Sequence, residues 1–189
     1  MTTRKNYMSP VAATNREEKD MTRFQAELTA FDKALAKATQ PEQPFEALWR
    51  LTDAVIGAKL FTLMEADMKI ERSGRIFTSH PEEYPVSGSK PITYNAWFDV
   101  VHKERRTFVA NNLVDIDEVF PDAVLIGKLG CASVINLPIV LNDTLVGTVN
   151  ILNGENHHTE ERVKLANTVL SIPAKAAWLA SRYIKNQQA

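Results

Sequence analysis

Residues 130–153, GCASVINLPIVLNDTLVGTVNILN, do most to limit what this chain can fold into. Nearly every position is β-branched or aliphatic, and the run is broken once, at Asn142-Asp143. Such residues fit a pleated strand and Asn-Asp suits a tight turn, so the segment predicts two antiparallel strands joined as a hairpin. Two asparagines, Asn136 and Asn150, interrupt the apolar run. A buried amide without a partner costs about 1–3 kcal/mol, so each needs one. Side chains alternate along a strand, which puts Val134, Asn136 and Pro138 on one face and Thr148, Asn150 and Leu152 together on the partner strand. A three-residue loop or a bulge brings the two asparagines opposite each other, whereas a strict two-residue loop puts them on opposite faces. Either a mutually bonded amide pair or a pair turned toward a ligand satisfies the residues as written.

The rest of the chain supplies layers for this hairpin. Residues 1–19 are polar and unpatterned and read as a mobile arm. Over 20–39, Met21, Phe24, Leu28, Phe31, Leu35 and Ala38 recur every three or four residues, a helix with one apolar stripe. Pro41 and Pro44 end it, and a second helix follows over 45–57. Residues 59–66 read as a strand, Ser73-Gly74 as a turn or bulge, and 75–79 as a second strand. A long irregular segment spans 80–91, the kind of loop that is functional or disordered. A helix over 93–102, a short strand over 106–110 and short helical pieces over 115–120 and 121–129 lead into the hairpin. The last helix opens at Thr159, an N-cap, with Glu160 and Glu161 suited to the positive end of its dipole. Pro173 inside it predicts a bend. Strands flanked by terminal helices predict an α+β domain over 40–189 built on an antiparallel sheet.

Composition narrows the function. Net charge is −1, so no electrostatic footprint for nucleic acid or an anionic membrane is present. No run approaches the ~18 apolar residues of a membrane helix, and the first residues carry no signal-peptide core. The expectation is a cytoplasmic protein. Cys131 is the single cysteine, which rules out an intrachain disulfide and a multi-cysteine metal site. His157, His158 and Glu161 lack a third strong ligand and read as an exposed capping loop rather than a metal site.

The order of elements, with ASVINLPIVLNDTLVGTVNIL and a following helix opened by HTEERV, resembles a GAF domain over about residues 45–180. The parts that carry the resemblance are Ser133, Leu137-Pro138, Asn142-Asp143, Val146-Gly147 and Asn150. The segment TSHPEEYPVSGSKP looks like that of free-standing bacterial GAF proteins. The resemblance implies a central antiparallel sheet with the terminal helices on one face. On the other face, residues 78–129 would form a roof over a small-ligand pocket. It implies a stand-alone sensory or regulatory domain that binds a small organic ligand, with output in trans because no helix-turn-helix, kinase or cyclase segment is seen. The residues it offers to that ligand are Tyr84, Tyr94, Trp97, Asn111, Cys131, Asn136 and Asn150. No cofactor is identified.

One GAF lineage, the free-methionine-(R)-sulfoxide reductases, implies an alternative in which Cys131 is a catalytic thiol. Aligned on the same landmarks, that lineage's substrate carboxylates fall near Val134, Asn150 and Leu152, none of them acidic, and its cysteine near Gly127. The Asn-Lys-Phe-Asp-Glu set of cyclic-nucleotide GAF domains has no counterpart, and Cys131 is not placed as in bilin-binding ones. No catalytic set is therefore expected. A third possibility is a ligand-free dimerisation module, and the helical stripe over 20–39 predicts a homodimer through the terminal helices.

Overall fold

The computed structural model describes the backbone of residues 10–188 and the side chains of residues 22–188. Helices α1 (Pro10–Lys37) and α2 (Gln43–Ile56) precede strands β1 (Leu60–Asp67), β2 (Arg72–Thr78) and β3 (Lys90–Pro91). Helix α3 (Ala96–Phe98) runs into a π-helical turn (Asp99–Lys103), followed by β4 (Phe108–Ala110), α4 (Leu113–Asp117) and α5 (Ala123–Lys128). The hairpin is β5 (Ser133–Leu141) and β6 (Thr144–Asn153), and the chain closes with α6 (Glu160–Leu165), a π-turn (Ala166–Leu170) and α7 (Ser171–Gln187). The six strands form one antiparallel sheet in the order β3-β2-β1-β6-β5-β4.

The hairpin resolves the alternatives its sequence leaves open. Asn142 and Asp143 both adopt positive φ, 47° and 54°, the left-handed pair that a two-residue turn requires. Leu141 pairs with Thr144 and Val140 with Leu145, but Ile139 pairs with Gly147. The bulge between Ile139 and Val140 leaves Val146 as the extra residue and shifts every later pair by one. Asn136 therefore faces Asn150 across the strands.

Three expectations change. The turn at Ser73-Gly74 is overturned, because both residues lie inside β2 and the chain reverses before it, where Glu71 takes φ 51°. Gly74 is instead a point of close approach: a Cβ there would sit 3.2 Å from Ser89 Cα in the loop that crosses it. Helix α1 opens at Pro10, so residues 10–19 of the expected arm are helical, and residues 1–9 lie outside the described residues. The bend at Pro173 takes the form of the π-turn just before it. Proline lacks the N–H that would bond Val169 and its ring crowds that carbonyl, and the wider turn makes room.

Apolar residues on one sheet face, Phe61, Leu63, Ile135, Leu137, Val149 and Ile151, pack against α2 and α7 through Phe45, Leu48, Leu51, Ala174 and Trp178. Gly147 is required here, since a Cβ would come within 2.9 Å of the Trp178 ring. Helix α1 lies against α2. Phe31 joins the core and Leu35 packs against it, while Leu28 stays 37% exposed. The side chain of Met21 lies outside the described residues.

Candidate functional site

The opposite sheet face carries a different set of residues. On β1, β5 and β6, the positions between the core residues are Thr62, Asn136 and Asn150, and the register sets them in one row across three strands: Thr62 pairs with Asn150 and Asn150 with Asn136. The loop after β3 carries Asn95, whose side chain caps α3 by accepting from the Phe98 amide at 3.1 Å. It also donates to the Val119 carbonyl at 3.0 Å, tying α3 to the segment before α5. This tie suspends Trp97 over the row. The Trp97 indole N–H donates to Asn136 Oδ1 at 3.0 Å, Asn136 Nδ2 to Asn150 Oδ1 at 2.6 Å, and Asn150 Nδ2 to Thr62 Oγ1 at 3.0 Å.

Between this row and the roof lies a cavity of about 300 Å³. Its apolar wall includes Met64, Phe98, Phe120, Ile126, Val134 and Leu152. At one end Arg75 stacks 3.6 Å from the centre of the Tyr84 ring and donates to the Pro85 carbonyl at 2.6 Å. Its guanidinium stands 3.7 Å from the Asp122 carboxylate, which accepts the Tyr84 hydroxyl. Burial first, and then Asp122, raise the Tyr84 pKa, so the phenol stays a hydrogen-bond donor. A pocket of this kind, apolar with a few fixed polar groups, is the usual form of a small-molecule site.

Of the residues singled out from sequence, Tyr84, Trp97, Asn136 and Asn150 come together on this cavity. Three do not. Tyr94 points outward, 59% exposed, with its hydroxyl on Glu71 at 2.6 Å. Asn111 bonds the backbone of His158 in both directions, at 3.0 and 3.2 Å, and so fastens β4 to the loop before α6. Cys131 is 1% exposed among Leu60, Ile126, Val134 and Leu152. Burial raises its thiol pKa, which Lys59 only partly offsets, the opposite of what a nucleophilic thiol needs.

The histidine pair also departs from expectation. His158 is buried, not exposed, and its Nε2 donates to the Ile151 carbonyl at 3.0 Å. Burial, and next the charge on His157, press its pKa down to about 4. Thr159 does cap α6, accepting from the Arg162 amide at 3.4 Å. Among the described residues no group of three or more His, Cys, Asp or Glu is placed to hold a metal.

Sequence reasoning missed Thr62, Arg75 and Asp122. Thr62 is the one hydroxyl inside the apolar LFTLM run, a signal available in hindsight. Arg75 and Asp122 meet only through folding and leave no local signature.

A family model described as GAF domain matches residues 47–176. No curated protein matches the chain. Among solved structures, the GAF domain of an Acinetobacter phosphoenolpyruvate-protein phosphotransferase superposes with TM-score 0.64 at 10% identity, covering 86% of this chain and 97% of that one. The corresponding domain from Coxiella burnetii gives 0.62 at 17% identity, over 88% and 98%. The GAF domain of a two-component sensor histidine kinase from Bacillus halodurans gives 0.62 at 10%, over 80% and 100%.

Proposed function

Because this chain belongs to the GAF domain family, we propose that it is a small-molecule-binding sensory domain whose ligand sits between sheet and roof. The observation that carries this reading is the cavity of about 300 Å³ floored by a row of hydrogen-bonded amides. A purely structural layer is more simply closed with apolar side chains, since buried polar groups stabilise only when fully partnered. That one relative of the same fold belongs to a sensor histidine kinase favours a sensory role.

Output leaves through the terminal helices to a separate partner, with two copies paired along them. Support comes from the cavity's contacts with α7. Glu65 and Gly147 are register partners at its edge. Glu65 forms an ion pair with Arg182 of α7, which lies 4.8 Å over the Trp178 ring, and that ring rests on Gly147. A ligand that moves the β1–β6 edge has α7 directly beneath it. A thermal-shift screen of the full chain against a metabolite library tests the reading. Compounds that raise the melting temperature of the protein are expected to lose most of that effect in Asn150→Leu. Hits equally effective on the variant contradict it.

A further inference from the structure

The row of hydrogen bonds under the cavity has a direction, and one residue sets it. A carboxamide offers an oxygen on one side and an NH2 on the other, and either orientation fits an isolated asparagine. Indole has no such freedom, since its N–H only donates. Trp97 therefore requires Asn136 to turn its oxygen toward the roof, at 3.0 Å. That leaves Asn136 Nδ2 to face Asn150, which must present its oxygen, and leaves Asn150 Nδ2 to face Thr62. The three bonds all run the same way.

The consequence is a surplus of donors. Each carboxamide oxygen already accepts one bond. The second N–H of each carboxamide and the Thr62 hydroxyl proton have no acceptor among the described residues, and Thr148 Oγ1, also on the cavity wall, has no partner there either. Charge does not supply an alternative attraction. The charged residues on the lining are Glu65, Arg75, Lys90 and Asp122, so their formal charges cancel. Arg75 stands beside Asp122 and donates to the Pro85 carbonyl, with only its Nε unpartnered among the described residues; Glu65 is held by Arg182, and Lys90 is exposed, its charge in water.

From this we infer that the cavity takes an uncharged, largely apolar molecule whose polar edge consists of hydrogen-bond acceptors, carbonyl oxygens or ring nitrogens. The inference rests on the binding role proposed above and adds the class of ligand. Acceptors on that edge meet the spare donors of Asn136, Asn150 and Thr62, while Met64, Phe98 and Phe120 cover the apolar remainder. Along the row a cation would face donors, with Asp122 and Glu65 already paired to arginines, and an anion would leave water for the neighbourhood of Asp122, with Arg75 held there and Lys90 out in solvent.

Four probes of one bicyclic shape test this: indane, 1-indanone, protonated 1-aminoindane and indane-1-carboxylate. Each is titrated into the full chain with protein-observed NMR giving its dissociation constant. 1-Indanone is expected to bind roughly fivefold to tenfold more tightly than indane, the size of one or two net hydrogen bonds, and both ions more weakly than 1-indanone. In Trp97→Phe the first amide is released to turn over, so the ratio of 1-indanone to indane affinity falls toward one. In Thr62→Val the ratio falls part of the way. A ratio unchanged in Trp97→Phe overturns the inference, and so do equal binding of all four probes or a preference for either ion; these results leave the binding role standing. If none of the four binds, indane included, the binding role fails and the inference with it.

Discussion

Asn136 and Asn150 satisfy one another and still face the cavity, so both readings that the residues leave open describe them. Their pairing makes a stability prediction. Asn150→Leu strands Asn136 Nδ2 and Thr62, and chemical denaturation should show a loss of about 1–3 kcal/mol. Adding Asn136→Leu together with Trp97→Phe removes both the stranded amide and the indole N–H that Asn136 accepts, so the combined variant should regain part of that loss, because deleting all partners costs less than deleting one. His158 yields a second prediction. Its folded pKa, about 4, lies below its ordinary 6.5. Between those values the unfolded chain binds a proton that the folded chain refuses, so the stabilisation is complete above the upper value and is lost as pH falls toward the lower. Between about pH 7.5 and about pH 5 the protein should lose about 2 kcal/mol more than His158→Gln, whose side-chain amide can still donate to Ile151. Denaturant melts of both proteins at the two pH values measure it. That asparagines sat in core strands was legible, because an amide among β-branched residues stands out. Their shared face was not, because it depends on a bulge at Ile139 and Val140 that no turn residue marks. Trp97 and Tyr94 looked alike in sequence, yet the Asn95 cap turns one inward and leaves the other in solvent.

The output proposed above rests on α1 and α7. Part of the α1 stripe is consumed within the chain, since Phe31 enters the core and Leu35 packs against it. What remains outward on α1 is Leu28 with half-buried Phe24, while α7 exposes Ile172, Leu179 and Tyr183 at spacings of seven and four, one face of a helix. A second copy covering these positions is the arrangement proposed. Light scattering at tens of micromolar should then give the mass of a dimer for the full chain and of a monomer for Leu28→Glu with Leu179→Glu. A monomeric full chain would contradict the pairing. The α1 periodicity was legible because an amphipathic helix repeats its signal along the sequence. Which of its residues stay exposed was not, because α2 decides that from elsewhere in the chain. The α7 face was hidden for a related reason: Pro173 and the π-turn before it break the helical phase by which apolar positions are counted.

At the scale of the whole molecule, one sheet serves two chemistries. Its helix-covered face is packed with aliphatic and aromatic side chains, and its roofed face keeps an amide row, an arginine on a tyrosine ring and space above them. The order of strands and helices was legible from turns and periodicity, except for β3, two residues at the end of the segment 80–91 that reads as irregular. The roof was legible as a region but not as a surface, because residues 78–129 gain their positions from contacts such as Asn95 to Val119 and Tyr84 to Asp122 rather than from local pattern. The three tryptophans report the two faces separately. Trp97 donates into the cavity floor, whereas Trp178 is in the helix-side core and Trp49 packs against that core. The central claim is that ligands bind between sheet and roof, and the most direct test is to follow the three indole N–H resonances as each stabilising compound from the metabolite screen is titrated in. The account predicts that every such compound shifts the Trp97 resonance and leaves that of Trp49 nearly in place. Compounds that stabilise the protein while the Trp97 resonance stays fixed would contradict it.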